Sequence, residues 1–437
     1  MGKSVAIVGA GSAGTNAAVR LRELLGDAEL TVYERGPHAG GRAWDVDFAG
    51  TTVEIGGTVL HSTGRHIMDL MKLTGAEEGM YTAGIQEADK TYWFWTGQGF
   101  VVKCRETLLS MALGIIRHVG PFSALRVTTA VQKVAEKWTG IYALQDAGVT
   151  FESPQQLLRA LGLEDETHVT LGDGLRGHKV NQRMVDDIVV PIVHNMYNQG
   201  GELNALAGQV GLAGAGLAGG YLFSIKGGNK TLFSRALDKV GAQVKLDTAV
   251  TRIAPTGGQW TVETAAGKQV YDAVVLAAPL AMANLDLVID NPPPVHPYQT
   301  VNTTLVVGEL DPEYFGLAPG SALPGNFFVA DSAGQPFMSL GITGISPQYN
   351  QKIYKLFSAE TELTDDFLAK VFKKADAVHR HVWRGAYPKL PPNIDHVPFR
   401  LADGLYYACA FETAAGAIEV EAVGGHNAGT LAANYLG

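Results

Sequence analysis

The chain has 437 residues, 46% of them hydrophobic and 18% charged, and a formal net charge of −9. That length and apolar content build a large core and two or three domains, which excludes an intrinsically disordered chain. The negative balance excludes a broad nucleic-acid footprint, and the two cysteines, Cys104 and Cys409, provide neither a disulfide framework nor a metal motif.

In chain order, "SVAIV" at 4–8 predicts a short buried strand and "GAGSAG" a turn. A helix follows from Ala13 to Leu25, and "ELTVYE" at 29–34 is the strand that closes a βαβ unit. The start enters this pattern at once in place of a secretory leader, so a cytoplasmic location is expected for the chain as it stands. No apolar run reaches the roughly 18 residues of a spanning helix. "HIMDLMKLTG" predicts a helix within 60–80, and 105–170 reads as mostly helical with breaks at Gly120-Pro121 and Ser153-Pro154. "NQRMVDDIVVPIVHNMY" continues as helix with a kink at Pro191. The Gly/Ala/Leu stretch at 200–220 suits close backbone packing. Strands then dominate: "QVKLD", "AVTRIAP", "QWTVET" and "YDAVVLAAP", followed by "TVNTTLVVGEL", "NFFVAD", "FMSLGITG", "KIYKLFS" and "AVHRHVWRGAY". "TDDFLAKVFKKA" is expected as a helix capped by Thr364. "GLYYACAF" is the last strand, and the last helix is expected over 413–434.

Gly9, Gly11 and Gly14 form a GxGxxG between strand and helix. The first permits the tight turn, the second lets the backbone approach a pyrophosphate, and the third lets the helix pack on the strand. Ser12 and Ala13 open the helix whose free N–H groups and dipole favour the anion. Glu34, ending the second strand, is placed to accept hydrogen bonds from a ribose diol. "ERGPHAGGR" at 34–42 then brings Arg35, Gly41 and Arg42, and "EIGGTVLH" at 54–61 brings Gly56, Gly57 and Thr58. With "IKGGNKTL" at 225–232, this series resembles the extended FAD signature of the amine oxidase and phytoene desaturase superfamily. The resemblance implies FAD, with further cofactor contacts at Val250, Glu412, Ala417 and Ile418. Glu412 stands where many flavoproteins place an Asp that holds the ribityl chain.

A narrower resemblance rests on "VDDIVVPIVHNMYNQGGELNALAGQVGL" at 185–212, "TVNTTLVVGEL", "YKLFSAETELTDDFL" and "GLYYACAFETAAGAIEVEAVGGHNA". In this order they are similar to the prenylcysteine oxidase (prenylcysteine lyase) family. Membership implies non-covalent FAD and oxidation of a farnesyl- or geranylgeranyl-cysteine thioether by hydride transfer to the flavin. Water addition then gives a prenyl aldehyde and free cysteine, and O₂ reoxidises the flavin to give hydrogen peroxide. The familiar animal members are lysosomal. The implied fold is α/β: a Rossmann-type FAD-binding domain (1–80, 221–280 and 400–437) interleaved with an α+β substrate domain (81–220 and 281–399), a mixed sheet plus helices.

Such chemistry needs placement and an apolar groove more than a nucleophile or a metal, and no metal-ligand spacing stands out. Tyr197, Gln199 and His61 are the catalytic candidates, to orient water or hold the amino-acid end of the substrate. Tyr197 reads equally as the residue closing a helix, and His194 as a satisfied core histidine. "TLLSMALGII" at 107–116, beside Arg117 and His118, is either an ordinary buried helix or a peripheral membrane contact. "TYWFWTGQGFVV" at 91–102 is a pocket wall or a core hairpin. Open alternatives are an oxidase for another thioether, an amine or a polyene, and a non-catalytic flavin- or lipid-binding protein. The amine reading calls for a lysine near the flavin; Lys226 and Lys230 are available, and neither sits in that context. No protein partner is indicated.

Overall fold

The computed structural model describes residues 2–81, 90–105 and 107–437. Its first sheet has six strands, in the order Gln243–Lys245, Glu29–Tyr33, Ser4–Val8, Ala273–Leu276, Leu405–Tyr407, Arg400–Ala402. The first five run parallel and the last is antiparallel. Val5, Ala6 and Ile7 are fully buried at its centre, as the continuous apolar run "SVAIV" requires of a strand covered on both faces. Helices Ser12–Leu25 and Ile418–Leu436 pack together beside it. A Cβ on Gly425 would stand 2.0 Å from the Ala13 carbonyl oxygen, so only glycine lets these backbones meet there. A four-stranded sheet, Gly267–Tyr271, Gln259–Thr264, Val250–Thr256 and Asp286–Leu287, follows Gln243–Lys245 in the chain, with Ala273–Leu276 of the first sheet coming between its last two strands in sequence.

The second large sheet has seven strands, in the order Phe372–Pro388, Tyr298–Leu310, Gln351–Ala359, Ser339–Ser346, Asn326–Val329, Thr91–Trp95, Phe100–Arg105. All its pairings are antiparallel except that of Asn326–Val329 with Thr91–Trp95. A layer of helices accompanies it: Leu108–Val119, Pro121–Asp146, Val190–Tyr197 and Ala205–Leu212. The breaks expected at Gly120-Pro121 and Ser153-Pro154 both start helices, with proline in the first turn where its missing N–H costs nothing.

Three local expectations change. Before Pro191 the helix widens into a π turn at Val185–Val189, which absorbs the missing proline N–H without a break. The helix capped by Thr364 ends at Val371; Phe372 to Ala375, helical by composition, instead pair with Leu310 to Gly308. At the C-terminus the strand stops at Tyr407, Ala408–Thr413 form a 3₁₀ turn, and the helix begins at Ile418.

Candidate active site

One cavity of about 1410 Å³ is lined by both halves of the molecule. Ligand pockets are commonly about 300–1,000 Å³, so this one has room for a dinucleotide and a second molecule. Gly9, Gly11, Ser12, Ala13, Glu34 and Arg35 line it. Gly41, Arg42, Gly56, Gly57 and Thr58 do so as well, with Val250, Ala417 and Ile418. Gly9 holds a φ of 111° and would drive a Cβ to 2.4 Å from the Ala277 carbonyl oxygen, so the loop exists only as glycine. Gly14 lies outside the cavity wall and packs on the Gly9 carbonyl, where a Cβ would stand at 1.9 Å. Glu34 accepts hydrogen bonds from the backbone N–H groups of Ala10 (3.0 Å) and Gly36 (2.8 Å), which fix its carboxylate beside the loop.

Glu412 corrects an expectation. It is 1% exposed and does not reach the cavity wall. The 3₁₀ turn that precedes the helix carries it behind Arg42, whose Nη2 donates to its Oε2 at 2.7 Å, while the Tyr298 hydroxyl donates to Oε1. Arg42 does line the cavity and is anchored again by the Ala386 carbonyl (3.2 Å) and by Glu421 at 3.6 Å. Burial, reinforced by Glu412, holds the Glu421 carboxyl well above the usual range. Glu412 thus positions a cation that faces the site. Glu419, one residue into the last helix, accepts from the N–H groups of His66 (2.9 Å) and Ile67 (3.0 Å) and from the Tyr142 hydroxyl (2.9 Å). It caps helix Arg65–Thr74, whose own N-cap, Gly64, offers no side chain.

Tyr197 lines the cavity, is 2% exposed, and meets the Tyr387 ring edge-on at 5.3 Å. Burial raises its phenol above the usual value. His61 also lines the cavity; its Nδ1 is 2.7 Å from the Thr63 hydroxyl, and burial lowers its imidazole. Gln199 is not in the wall. Its amide donates to the Pro388 carbonyl (3.1 Å) and accepts from the Leu390 N–H (3.0 Å), so it ties the helix end to the strand end away from the cavity wall. His194 is the satisfied core residue expected, between Val329 O and Asp331. Of the lysines weighed from sequence, Lys230 is paired with Asp45 at 2.7 Å.

Sequence reading missed Lys355, Asn229 and Trp383. Asn229, fully buried, donates to the Gly57 (2.8 Å) and Thr58 (3.0 Å) carbonyls and so shapes the second glycine turn. Trp383 donates to the Ile55 carbonyl at 3.3 Å and covers Gly56. Lys355 projects into the cavity. The glycine motif flags Asn229 by proximity; the other two are brought in by strand pairing alone.

Much of the remaining wall is apolar. Met111, Ile115, Val127, Ile188, Ile192 and Met196 come from four of the helical segments, and Tyr92 and Phe328 stack at 5.9 Å on the sheet side. The hairpin 91–102 is therefore both core and wall.

A prenylcysteine lyase family model matches residues 110–436, and an NAD(P)-binding Rossmann-like domain model matches residues 7–73. The chain belongs to the prenylcysteine lyase family. A farnesylcysteine lyase of Arabidopsis thaliana is 28% identical over 98% of this chain and 87% of its own length. Prenylcysteine oxidase 1 of Bos taurus is 29% identical over 98% of this chain and 88% of its own. Among solved structures, cyclohexylamine oxidase from Brevibacterium oxydans superposes with a TM-score of 0.68 at 16% identity over the whole of both chains. A putrescine oxidase bound to putrescine gives 0.66 at 17% identity over 98% of each. These two share the fold.

The residues present fit FAD. The Gly9 turn leaves backbone where any side chain would collide, and two helices begin at the cavity, Ser12–Leu25 and Ile418–Leu436. Neither helix start has a side-chain cap, so their N–H groups are left for phosphate or ribityl oxygens. Glu34 suits a ribose diol, and Arg42, cationic and anchored from behind, suits the diphosphate.

Proposed function

We propose that this protein is an FAD-dependent oxidase that cleaves a prenylcysteine-type thioether to a prenyl aldehyde and free cysteine, with O₂ as the final acceptor. The observation that carries the reading is that a dinucleotide cradle and a wall of aliphatic and aromatic side chains line one and the same cavity. FAD supplies the two-electron acceptance that the oxidation needs. The chain's own contribution is to hold, orient and dry the reactants. Met111, Ile115, Val127, Ile188, Ile192 and Met196 carry no charge or hydrogen-bonding group strong enough to hold an ammonium, and they match a long hydrocarbon chain. Tyr197 and His61, the polar side chains kept from the catalytic candidates, are assigned to the sulfur and amino-acid end.

The lipid origin of such a substrate supports a further part of this reading, peripheral contact with a membrane surface. Helix Leu108–Val119 turns Met111 and Ile115 to the cavity and leaves Leu113 53% exposed. The next helix leaves Phe122 and Leu125 70% and 64% exposed, with Arg117 and Arg126 exposed beside them. An apolar ridge with flanking cations suits shallow insertion among anionic headgroups. Among the described residues no helix is long and apolar enough to cross a membrane.

The test is a product assay. FAD-loaded protein in air is offered farnesylcysteine, a short S-alkyl cysteine and benzylamine. Aldehyde and thiol in equal amounts from farnesylcysteine alone support the reading; turnover of the amine alone overturns it.

A further inference from the structure

Strand Gln351–Ala359 carries Lys355 into the cavity, between Leu305 of one neighbouring strand and Gly341 of the other. Its Nζ donates to the Thr58 hydroxyl at 2.8 Å and to the Glu54 carbonyl at 3.2 Å, and lies 5.2 Å from the centre of the Phe357 ring. Both acceptors are neutral oxygens. Thr58 belongs to the second glycine turn, among the residues assigned to the cofactor, while Phe357 and Gly341 line the same cavity from the seven-stranded sheet that also carries Tyr92 and Phe328. The amine therefore stands at the seam between the two. The charged group that faces it is Glu54, on strand Thr51–Gly56, with Asp45 and Lys230 behind. Glu54 accepts from the Asn229 N–H at 2.6 Å.

Thioether cleavage needs a base at that seam. Once the carbon beside sulfur has given two electrons and a proton to the flavin, it is an electrophile. Water must add to it inside an apolar chamber that offers the released proton little solvent. An ordinary lysine is charged at neutral pH and cannot accept a proton. Burial, partly offset by Glu54, lowers Lys355 to about 8, close to the range in which a general base works best.

We propose that Lys355 is the proton acceptor for the water that attacks the oxidised carbon, a role that rests on the oxidase reading above. The water oxygen forms the new C–O bond, one O–H bond breaks, and its proton goes to Lys355 Nζ. The hemithioacetal then collapses: the C–S bond breaks with the electron pair on sulfur, Lys355 gives its proton to that sulfur, and the amine so freed takes the hydroxyl proton as the C=O bond forms. Aldehyde, thiol and a protonated lysine result, and the lysine loses its proton to solvent once the products leave. Thr58 keeps the amine aimed into the cavity throughout.

The experiment follows two signals in one anaerobic turnover of FAD-loaded protein with farnesylcysteine, flavin absorbance and free thiol, for the wild type, Lys355→Met and Lys355→Arg. In the wild type, thiol release lags bleaching where the amine is protonated and catches up with it as the pH rises past about 8. Both variants are expected to bleach yet release thiol about 100-fold more slowly, without that pH dependence. A variant whose thiol release still keeps pace with bleaching overturns the proposal. A wild type that never bleaches overturns the oxidase reading and this role with it. A second readout needs no turnover: in ¹³C-lysine-labelled FAD-loaded protein, the Cε signal missing from Lys355→Arg should titrate near 8. Titration above 10, where an ordinary lysine titrates, contradicts the assignment.

Discussion

Replacing Lys355 with methionine should make the protein more stable at neutral pH. The native amine titrates at about 8 against an ordinary 10.5, chiefly because burial disfavours its charged form. Folded protein therefore binds fewer protons than unfolded chain between those two values, and stability rises with pH across that window. Below about 8 the penalty is present in full. At 1.36 kcal/mol per pKa step it amounts to about 3 kcal/mol. Methionine removes the charge and fills a similar volume. It leaves no stranded anion, because Glu54, raised by burial to about 7, takes up a proton readily. The lost hydrogen bonds to Thr58 and the Glu54 carbonyl return about 1 kcal/mol, for a net gain of about 2 kcal/mol. For 437 residues, at about 2.1 cal/mol/K of unfolding entropy per residue, that is a rise in thermal midpoint of about 2 °C. Calorimetry of wild type and Lys355→Met at pH 7 and pH 10.5 checks it: the variant should be the more stable at the first and, with the charge penalty gone and only the lost hydrogen bonds left, the less stable by about 1 kcal/mol at the second. A Lys355→Met protein less stable at pH 7 would mean that the amine sits in a well-compensated ion pair, and the burial argument would fail.

Glu419→Gln places an NH₂ against one of the N–H groups that the carboxylate now satisfies, costing about 1.5–3 kcal/mol, so amide exchange in helix Arg65–Thr74 should quicken about 10- to 100-fold. Unchanged protection by hydrogen-exchange mass spectrometry would show that the cap carries no weight. Tyr197→Phe should retain FAD and slow flavin bleaching by farnesylcysteine about tenfold; a stopped-flow rate equal to wild type removes the hydroxyl from the mechanism. Phe122→Glu with Leu125→Glu should abolish co-sedimentation with vesicles containing phosphatidylserine while leaving turnover of short, soluble thioethers intact. Vesicle binding equal to wild type would place the lipid contact elsewhere or nowhere.

The nucleotide half of the site was legible because its physics is local. Gly9, Gly11, Glu34 and Arg42 fall within one βαβ unit and its following loop, where turn, helix start and carboxylate come in a fixed order. The C-terminal end was legible only in outline. "ACAFETAAG" contains neither alternation nor a helical stripe, so nothing local announces a 3₁₀ turn that delays the helix to Ile418 and withdraws Glu412 behind Arg42. Gln199 lay in a family-like segment, yet its partners at Pro388 and Leu390 are about 190 positions away and leave it a brace. Lys355 was hidden for the same reason. Its strand reads as an ordinary pattern, and its cavity-facing place follows from pairing with Leu305 and Gly341. "FKKA" shows tertiary pairing overruling helix propensity, since Phe372 onward completes the edge of a sheet whose next strand is Tyr298–Leu310.

The central claim, a flavin reduced by a prenyl thioether, is tested most directly by mixing FAD-loaded protein with farnesylcysteine without oxygen and recording the flavin absorbance. The account predicts full bleaching by farnesylcysteine, little by a short S-alkyl cysteine and none by benzylamine. A flavin that stays yellow with the prenyl thioether, or bleaches with the amine alone, would contradict it.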